Sequence, residues 1–461
     1  MSSLRFSGIS SVSLNLLILA ATLLVSPTLS TSRHASLHHP HAIDTGFRVP
    51  LRRVDSGKTF TKFELLRRAM GREKQRIEQL QAMVVSASDH HANDFESPIH
   101  AGEGEFLMEL SIGTPPVSFS AILDTGSDLV WTQCQPCKRC FPQTTPIFDP
   151  EKSSSFTYLP CSSKLCSGLP SSSCDDGQSC QYTYLYGDYS STKGVMGVET
   201  FTFDNVSVPK IGFGCGFVND GSGFDQGAGL VGLGRGDLSL ISQLNVTKFS
   251  YCLASFDSNK PGMLQIGSLG KELTMEPLNK ATPLIKNPSS PTFYYLSLQG
   301  VTVGHTRLNI EKSSFQIQED GTGGMIIDTG TTITYLPRNA YYLVKNAFVS
   351  QMKLPVDKSP YGKVFDLCFI LPTSNGTTSI DIEVPRMVFH FEGVDLELPE
   401  KNYFVADTSG VACLAMGSSN GISIFGNFQQ QDLLVVHDLV KETVGFVPTK
   451  CDQAITNIIS L

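Results

Sequence analysis

Two aspartates carry the most pointed chemical signal in the chain. Residues 121–127 read Ala-Ile-Leu-Asp-Thr-Gly-Ser and residues 325–331 read Met-Ile-Ile-Asp-Thr-Gly-Thr, which sets Asp124 and Asp328 204 positions apart. Each motif is an apolar run that ends in Asp-Thr-Gly and a hydroxyl residue. A second echo follows each, Gly229-Leu230-Val231-Gly232 and Ser423-Ile424-Phe425-Gly426. One Asp-Thr-Gly is an ordinary turn, as at Asp44-Thr45-Gly46. Two in matched settings, with matched followers, indicate a duplicated architecture with one carboxylate per half.

Two carboxylates held face to face cannot both ionise easily, so they share a proton. The ionised one can take a proton from water while the protonated one polarises a carbonyl. That permits amide hydrolysis without a metal, a cofactor or a covalent nucleophile. Around the pair, Thr125 and Thr329 are suited to bond across the two loops, and Ser127 and Thr331 to orient the outer carboxylate oxygens. Gly126 and Gly330 allow close backbone approach.

The elements that must position these loops read as strands. Residues 105–110, 118–123 and 387–391 are short, β-rich and divided by Gly, Pro, Asn and Asp clusters. Helical spacing occurs at Ala340, Leu343, Val344, Ala347, Phe348 and Met352, and again at Phe63, Leu66, Met70, Ile77 and Leu80. With 40 Gly, 25 Pro and 28 Phe in 461 residues, a mostly β fold is expected. A net charge of −8 argues against a nucleic-acid partner.

The first thirty residues read as a signal peptide: Arg5, then an apolar stretch from Leu14 to Val25, then Ser26, Pro27 and Ser30. That stretch is shorter than the roughly 20 residues a membrane span needs, and no anchor is expected. Residues 31–80 hold eleven Lys and Arg against five Asp and Glu, whereas everything from residue 97 onward carries a formal −12. A removable, basic prosegment over 31–96 fits this asymmetry, with cations such as Arg67, Arg68 and Arg72 expected to pair with carboxylates beside the cleft. The cluster His38-His39-Pro40-His41 lacks companions for a metal site and reads as a solvated linker. Twelve cysteines in an exported chain favour disulfides, although Cys134, Cys137 and Cys140 imitate a metal run.

On these residues the sequence resembles the pepsin-like aspartic endopeptidases, and among them the nepenthesin-type plant group, over residues 103–451. The carriers are Asp124-Thr125-Gly126-Ser127-Asp128 with Trp131, the run Tyr182-Thr183-Tyr184-Leu185-Tyr186-Gly187-Asp188, and Gly426-Asn427-Phe428-Gln429-Gln430-Gln431. The chain departs from the group at Tyr189, where glycine usually follows Tyr-Gly-Asp. The resemblance implies a bilobal β fold with the cleft between two pseudo-symmetric lobes, over 97–275 (with a Cys-rich insertion at 134–180) and 276–461. It implies Asp124 and Asp328 as the catalytic pair, and Tyr186, Gly187 and Asp188 in a substrate-covering flap, with Tyr186 bonded to Trp131. Disulfides Cys134–Cys215, Cys137–Cys140, Cys252–Cys451 and Cys368–Cys413 follow from the group's pattern, with Cys161, Cys166, Cys174 and Cys180 paired among themselves.

The expected protein is thus a monomeric, secreted acid endopeptidase acting on polypeptides, made as a zymogen inhibited by its own propeptide. The cell wall is the expected destination, with the vacuole as the alternative. Asn205, Asn245 and Asn375 head glycosylation sequons. A non-catalytic relative is the competing reading, disfavoured because both Asp-Thr-Gly motifs survive. Gly232-Leu233-Gly234-Arg235-Gly236 imitates a phosphate loop but lacks the lysine, and Gly417-Ser418-Ser419-Asn420-Gly421 imitates a hydrolase elbow without the strand that should lead into it.

Overall fold

The computed structural model describes residues 46–56, 58–70, 106–186, 190–221, 227–267, 281–358, 365–374, 377–378 and 382–453. Strands dominate, as the composition predicts. Phe106–Ile112 and Val117–Asp124 form a hairpin in which Leu107 faces Ile122, and Met387–Phe391 pairs with Val394–Leu398. The anticipated helix is Arg338–Gln351, burying Ala340, Tyr341, Val344 and Phe348 while Leu343 stays exposed.

Among the described residues, one long sheet of twenty strands passes through both halves of the molecule. Its junction is an antiparallel ribbon. Phe47–Arg53 pairs with Gly262–Ile266, which pairs with Lys248–Cys252, which pairs with Leu433–Asp438. Thr443–Pro448 and Ala281–Ile285 complete it. The ribbon ties N-terminal-half strands to C-terminal-half strands by main-chain hydrogen bonds, a rigid base for two loops that must face each other. Apolar side chains from both halves then merge into one continuous core, from Phe106 and Phe213 to Phe389 and Phe446.

The strand Phe47–Arg53 was not expected from the sequence, where only a helix was read in this segment. Its alternation is nonetheless plain: Phe47, Val49, Leu51 and Arg53 are buried, with Arg52 and Pro50 exposed. It also pairs with Phe106–Ile112 on its other edge. Residues 62–70 are helical and bury Phe63, Leu65 and Leu66 against Phe256, Phe365, Phe428 and the Cys368–Cys413 bridge. Apolar burial is thus the main contact of this segment, at about 25 cal/mol per Å² removed from water. Its charges behave differently from the expectation. Arg68 pairs with Asp55 of its own segment at 3.2 Å, as does Lys58, whereas Arg67 is exposed and Arg72 lies outside the described residues. Lys62 and Arg52 reach acidic groups of the main body, Asp257 at 3.1 Å and Glu109 at 3.0 Å.

Six disulfides join all twelve cysteines. Cys134–Cys215, Cys137–Cys140, Cys252–Cys451 and Cys368–Cys413 are present, and the remaining four pair as Cys161–Cys174 and Cys166–Cys180. The last two pin short strands, Ser172–Cys174 and Cys180–Leu185, in a stretch rich in Ser and Gly.

Candidate active site

Asp124 ends the strand Val117–Asp124, and Asp328 follows the strand Met325–Ile327. Each of these strands is flanked by a parallel partner drawn from the second echo. Leu230, Val231 and Gly232 lie against Ile122, Leu123 and Asp124, while Ser423, Ile424 and Phe425 lie against Met325, Ile326 and Ile327. Glycine ends the first flanking strand and directly follows the second. A Cβ on Gly232 would stand 2.3 Å from the Asp128 carbonyl carbon, and one on Gly426 would stand 2.3 Å from the Ile333 carbonyl oxygen. Glycine is required at both places for the backbone to approach so closely.

The two loops grip each other through their threonines. Thr125 N–H donates to Thr329 Oγ1 at 3.1 Å, and Thr329 N–H donates to Thr125 Oγ1 at 3.0 Å. Each hydroxyl then donates to the carbonyl that precedes the opposite aspartate, Thr125 to Ile327 at 3.4 Å and Thr329 to Leu123 at 3.2 Å. The carboxylates are treated alike. Gly126 N–H donates to Asp124 Oδ1 at 2.9 Å and Ser127 Oγ donates to Oδ2 at 2.6 Å. Gly330 N–H donates to Asp328 Oδ1 at 2.8 Å and Thr331 Oγ1 donates to Oδ2 at 2.6 Å. All of these polar side chains are buried, with Asp124 and Asp328 at 0% exposure. Two donors on each carboxyl group fix its plane and hold it in one rotamer, which is what a shared-proton pair requires.

Around this centre the side chains differ between the halves. On the Asp328 side, Asn427 donates to Thr329 O at 3.0 Å and Gln430 to Asp328 O at 3.3 Å and Phe425 O at 2.7 Å. Gln429 accepts from Thr334 N–H at 2.7 Å, and Gln431 accepts from Phe256 N–H at 3.0 Å. In the sequence this amide run is marked only by its resemblance to the nepenthesin-type group. Its density of buried Asn and Gln was the available signal, because buried amides must find partners.

Tyr186 is buried at the end of the strand Cys180–Leu185, its ring 6.4 Å from Trp131 and 5.0 Å from Tyr184. Burial pushes its phenol well above the ordinary value, the neighbouring Tyr184, Tyr182 and Asp124 add to this, and a hydrogen bond with Trp131 acts in the opposite sense. Gly187 and Asp188 lie outside the described residues, as do Tyr189 and Asn375. Asn205 and Asn245 are exposed. Among the described residues no group of His, Cys, Asp and Glu could hold a metal ion. No described helix is long and apolar enough to cross a membrane.

Two pseudo-symmetric β lobes joined at reciprocal Asp-Thr-Gly loops make the pepsin-like architecture. The family models that match are described as xylanase inhibitor N-terminal, over residues 106–268, and xylanase inhibitor C-terminal, over residues 293–448. Among curated proteins, aspartic proteinase nepenthesin-1 of Nepenthes gracilis is 53% identical over 430 residues, covering 93% of this chain and 95% of its own. Nepenthesin-2 of the same plant is 51% identical over 449 residues, covering 96% and 99%. Solved structures sharing the fold include edgp (TM-score 0.61, 20% identity, 88% of this chain and 95% of that one) and basic 7S globulin from soybean (0.57, 21%, 77% and 98%). The chain belongs to the pepsin-like aspartic endopeptidases, in their nepenthesin-type group, and is an aspartic-type peptidase.

Proposed function

We propose that this endopeptidase is secreted as a zymogen and cleaves polypeptides at acid pH through a water activated by Asp124 and Asp328. The observation that carries the reading is the reciprocal grip: each carboxyl is held by an equivalent pair of donors, and each loop by the other's threonine. With one proton between them, the ionised aspartate takes a proton from water as that water attacks the scissile carbonyl. The protonated partner donates to the carbonyl oxygen, and the tetrahedral intermediate collapses when its nitrogen gains a proton from the pair. Tyr186, seated against Trp131, is the residue through which the flap would cover the bound peptide.

Residues 1–30 are assigned as the signal peptide and 31–96 as the prosegment, with the lobes over 97–275 and 276–461. The pairing of Phe47–Arg53 on both of its edges supports a segment held firmly before removal. Asp55 supplies an acid trigger. Its burial works against the charged form, but hydrogen bonds and charge from Lys58 and Arg68 outweigh this and hold the carboxyl below its ordinary value of 3.8. The stability from that pairing is present above 3.8 and fades as pH falls through the lower folded value.

The test is peptide cleavage at acid pH by the matured protein, with Asp124→Asn and Asp328→Asn alongside. Each variant should keep its melting temperature within a few degrees yet lose activity by about 10³-fold or more, since each proton role needs its own carboxyl. Residual turnover within about tenfold of the parent in either variant would refute the dyad.

A further inference from the structure

The glycine loop that imitates a phosphate cradle is occupied by a carboxyl group of the chain itself. Asp128, four residues beyond Asp124, is 5% exposed. Gly236 N–H donates to its Oδ1 at 2.8 Å, and Thr292 Oγ1 donates to its Oδ2 at 2.6 Å. The glycines around it clear the space: a Cβ on Gly234 would lie 2.4 Å from Oδ1 and one on Gly236 2.2 Å from Oδ2. The same loop is fastened to the Asp124 turn by Leu233 N–H to Asp124 O and Gly234 N–H to Ser127 O, both at 2.8 Å. It is fastened to the chain entering the C-terminal half by Arg235 N–H to Thr292 O at 2.9 Å and Tyr294 hydroxyl to Leu233 O at 2.8 Å.

We propose that Asp128 is a positioning residue for peptide hydrolysis, its carboxyl locking the Asp124 turn to Thr292 and so to the half that carries Asp328. The proposal rests on the reading of Asp124 and Asp328 as the catalytic pair. Asp128 touches no reacting atom and acts through the alignment of Asp124. Burial pushes its carboxyl above the ordinary value, the bonds from Thr292 and Gly236 counter this, and nearby Asp237 adds to the rise. The other titratable groups that face it are Tyr184 on the flap strand and Tyr294, with Arg235 on the glycine loop and its partner Glu442 beyond. The lock survives protonation, because a neutral carboxyl can still accept from Gly236 and give its proton to Thr292 Oγ1. Asparagine reproduces that neutral form, with Oδ1 to Gly236 and Nδ2 to Thr292. Alanine abolishes it.

The experiment compares Asp128→Asn, Asp128→Ala and Thr292→Val in the matured protein, with pepstatin titration giving rates per competent site. Asp128→Asn should hold kcat within about threefold of the parent, because the amide can make both bonds of the lock. Asp128→Ala should lose about 10- to 100-fold in kcat with KM within about twofold, the pattern of a misaligned rather than an unoccupied site. Should that variant not fold, Thr292→Val decides the matter, with a loss of about threefold or more in kcat expected. Unchanged kcat per site in Asp128→Ala or Thr292→Val, a loss confined to KM, or Asp128→Asn as impaired as alanine would overturn the proposal. Asp124→Asn is the control: if it stays active, the catalytic reading fails on its own account.

Discussion

The two halves of the site agree at the reacting groups and diverge one step outward. Asp124 and Asp328 receive equivalent donors at nearly equal distances, and Thr125 and Thr329 exchange equivalent bonds. Beyond them, the first half builds its support from a buried carboxyl wrapped in glycine, whereas the second uses amide side chains of Asn427 and Gln430 on main-chain carbonyls. At the position matching Asp128 stands Thr332, fully buried, its hydroxyl without a hydrogen-bond partner among the described residues. Chemistry that must be symmetric is held symmetric, and the scaffold around it is free to solve the same problem twice.

The largest expected effect lies where the halves meet. His437, on the C-terminal-half strand Leu433–Asp438, stacks on Phe249 of the N-terminal half at 4.3 Å and 11° and sits 4.7 Å from the Tyr294 ring. Burial, with some help from the Arg235 charge, lowers its value to about 3 from 6.5. Above pH 6.5 the ring is neutral whether the chain is folded or not, and nothing is lost. As pH falls from 6.5 toward 3 the unfolded chain takes up a proton that the folded one refuses, so stability is lost at up to about 1.4 kcal/mol per unit. Between pH 7 and pH 4 the loss amounts to about 3 kcal/mol. His437→Phe should remove it, so that the stability difference between pH 7 and pH 4 shrinks by that amount in urea titrations. Parallel pH dependences in parent and variant would show that His437 is protonated in the fold.

A smaller effect tests the symmetry itself. Thr125→Val and Thr329→Val each strip a buried amide of its acceptor and a buried carbonyl of its donor, at a cost of about 1–3 kcal/mol apiece. Because the bonds are reciprocal, the two variants should match within about 1 kcal/mol, and the double variant should cost less than the sum. A wide gap between the single variants, by equilibrium denaturation, would mean that one loop carries the other.

How far the sequence disclosed all this follows the same division. The centre was legible because Asp-Thr-Gly occurs twice with its flanking echo, and those echoes became the parallel strands beside each aspartate. The role of Asp128 was not. Its partners Gly236 and Thr292 lie 108 and 164 residues away, and an acid after Asp-Thr-Gly-Ser reads as turn chemistry. The strand Phe47–Arg53 escaped because its alternation is short and interrupted by Pro50 and three arginines, and the edges that make it a strand come from far along the chain. The pairing of Cys161, Cys166, Cys174 and Cys180 likewise depended on which strand faces which, a tertiary fact that spacing does not contain.

The smallest prediction has the opposite sign and uses the mismatch at the matching positions. A buried hydroxyl without a partner has given up its hydrogen bonds to water and gained none in return, which costs stability rather than adding it. Valine has nearly the outline of threonine and no such group to desolvate. Thr332→Val should therefore leave the fold as stable as the parent or stabilise it by up to about 1 kcal/mol, with kcat unchanged. The same kind of change at Asp128 should cost activity, since that side chain joins Gly236 of its own half to Thr292 of the other. If Thr332→Val instead lost more than about 1 kcal/mol in a denaturant titration, its hydroxyl would have to be bonded in the folded protein. The second half would then rest on a polar lock at the same position as the first, and the divergence between them would be one of residue type alone.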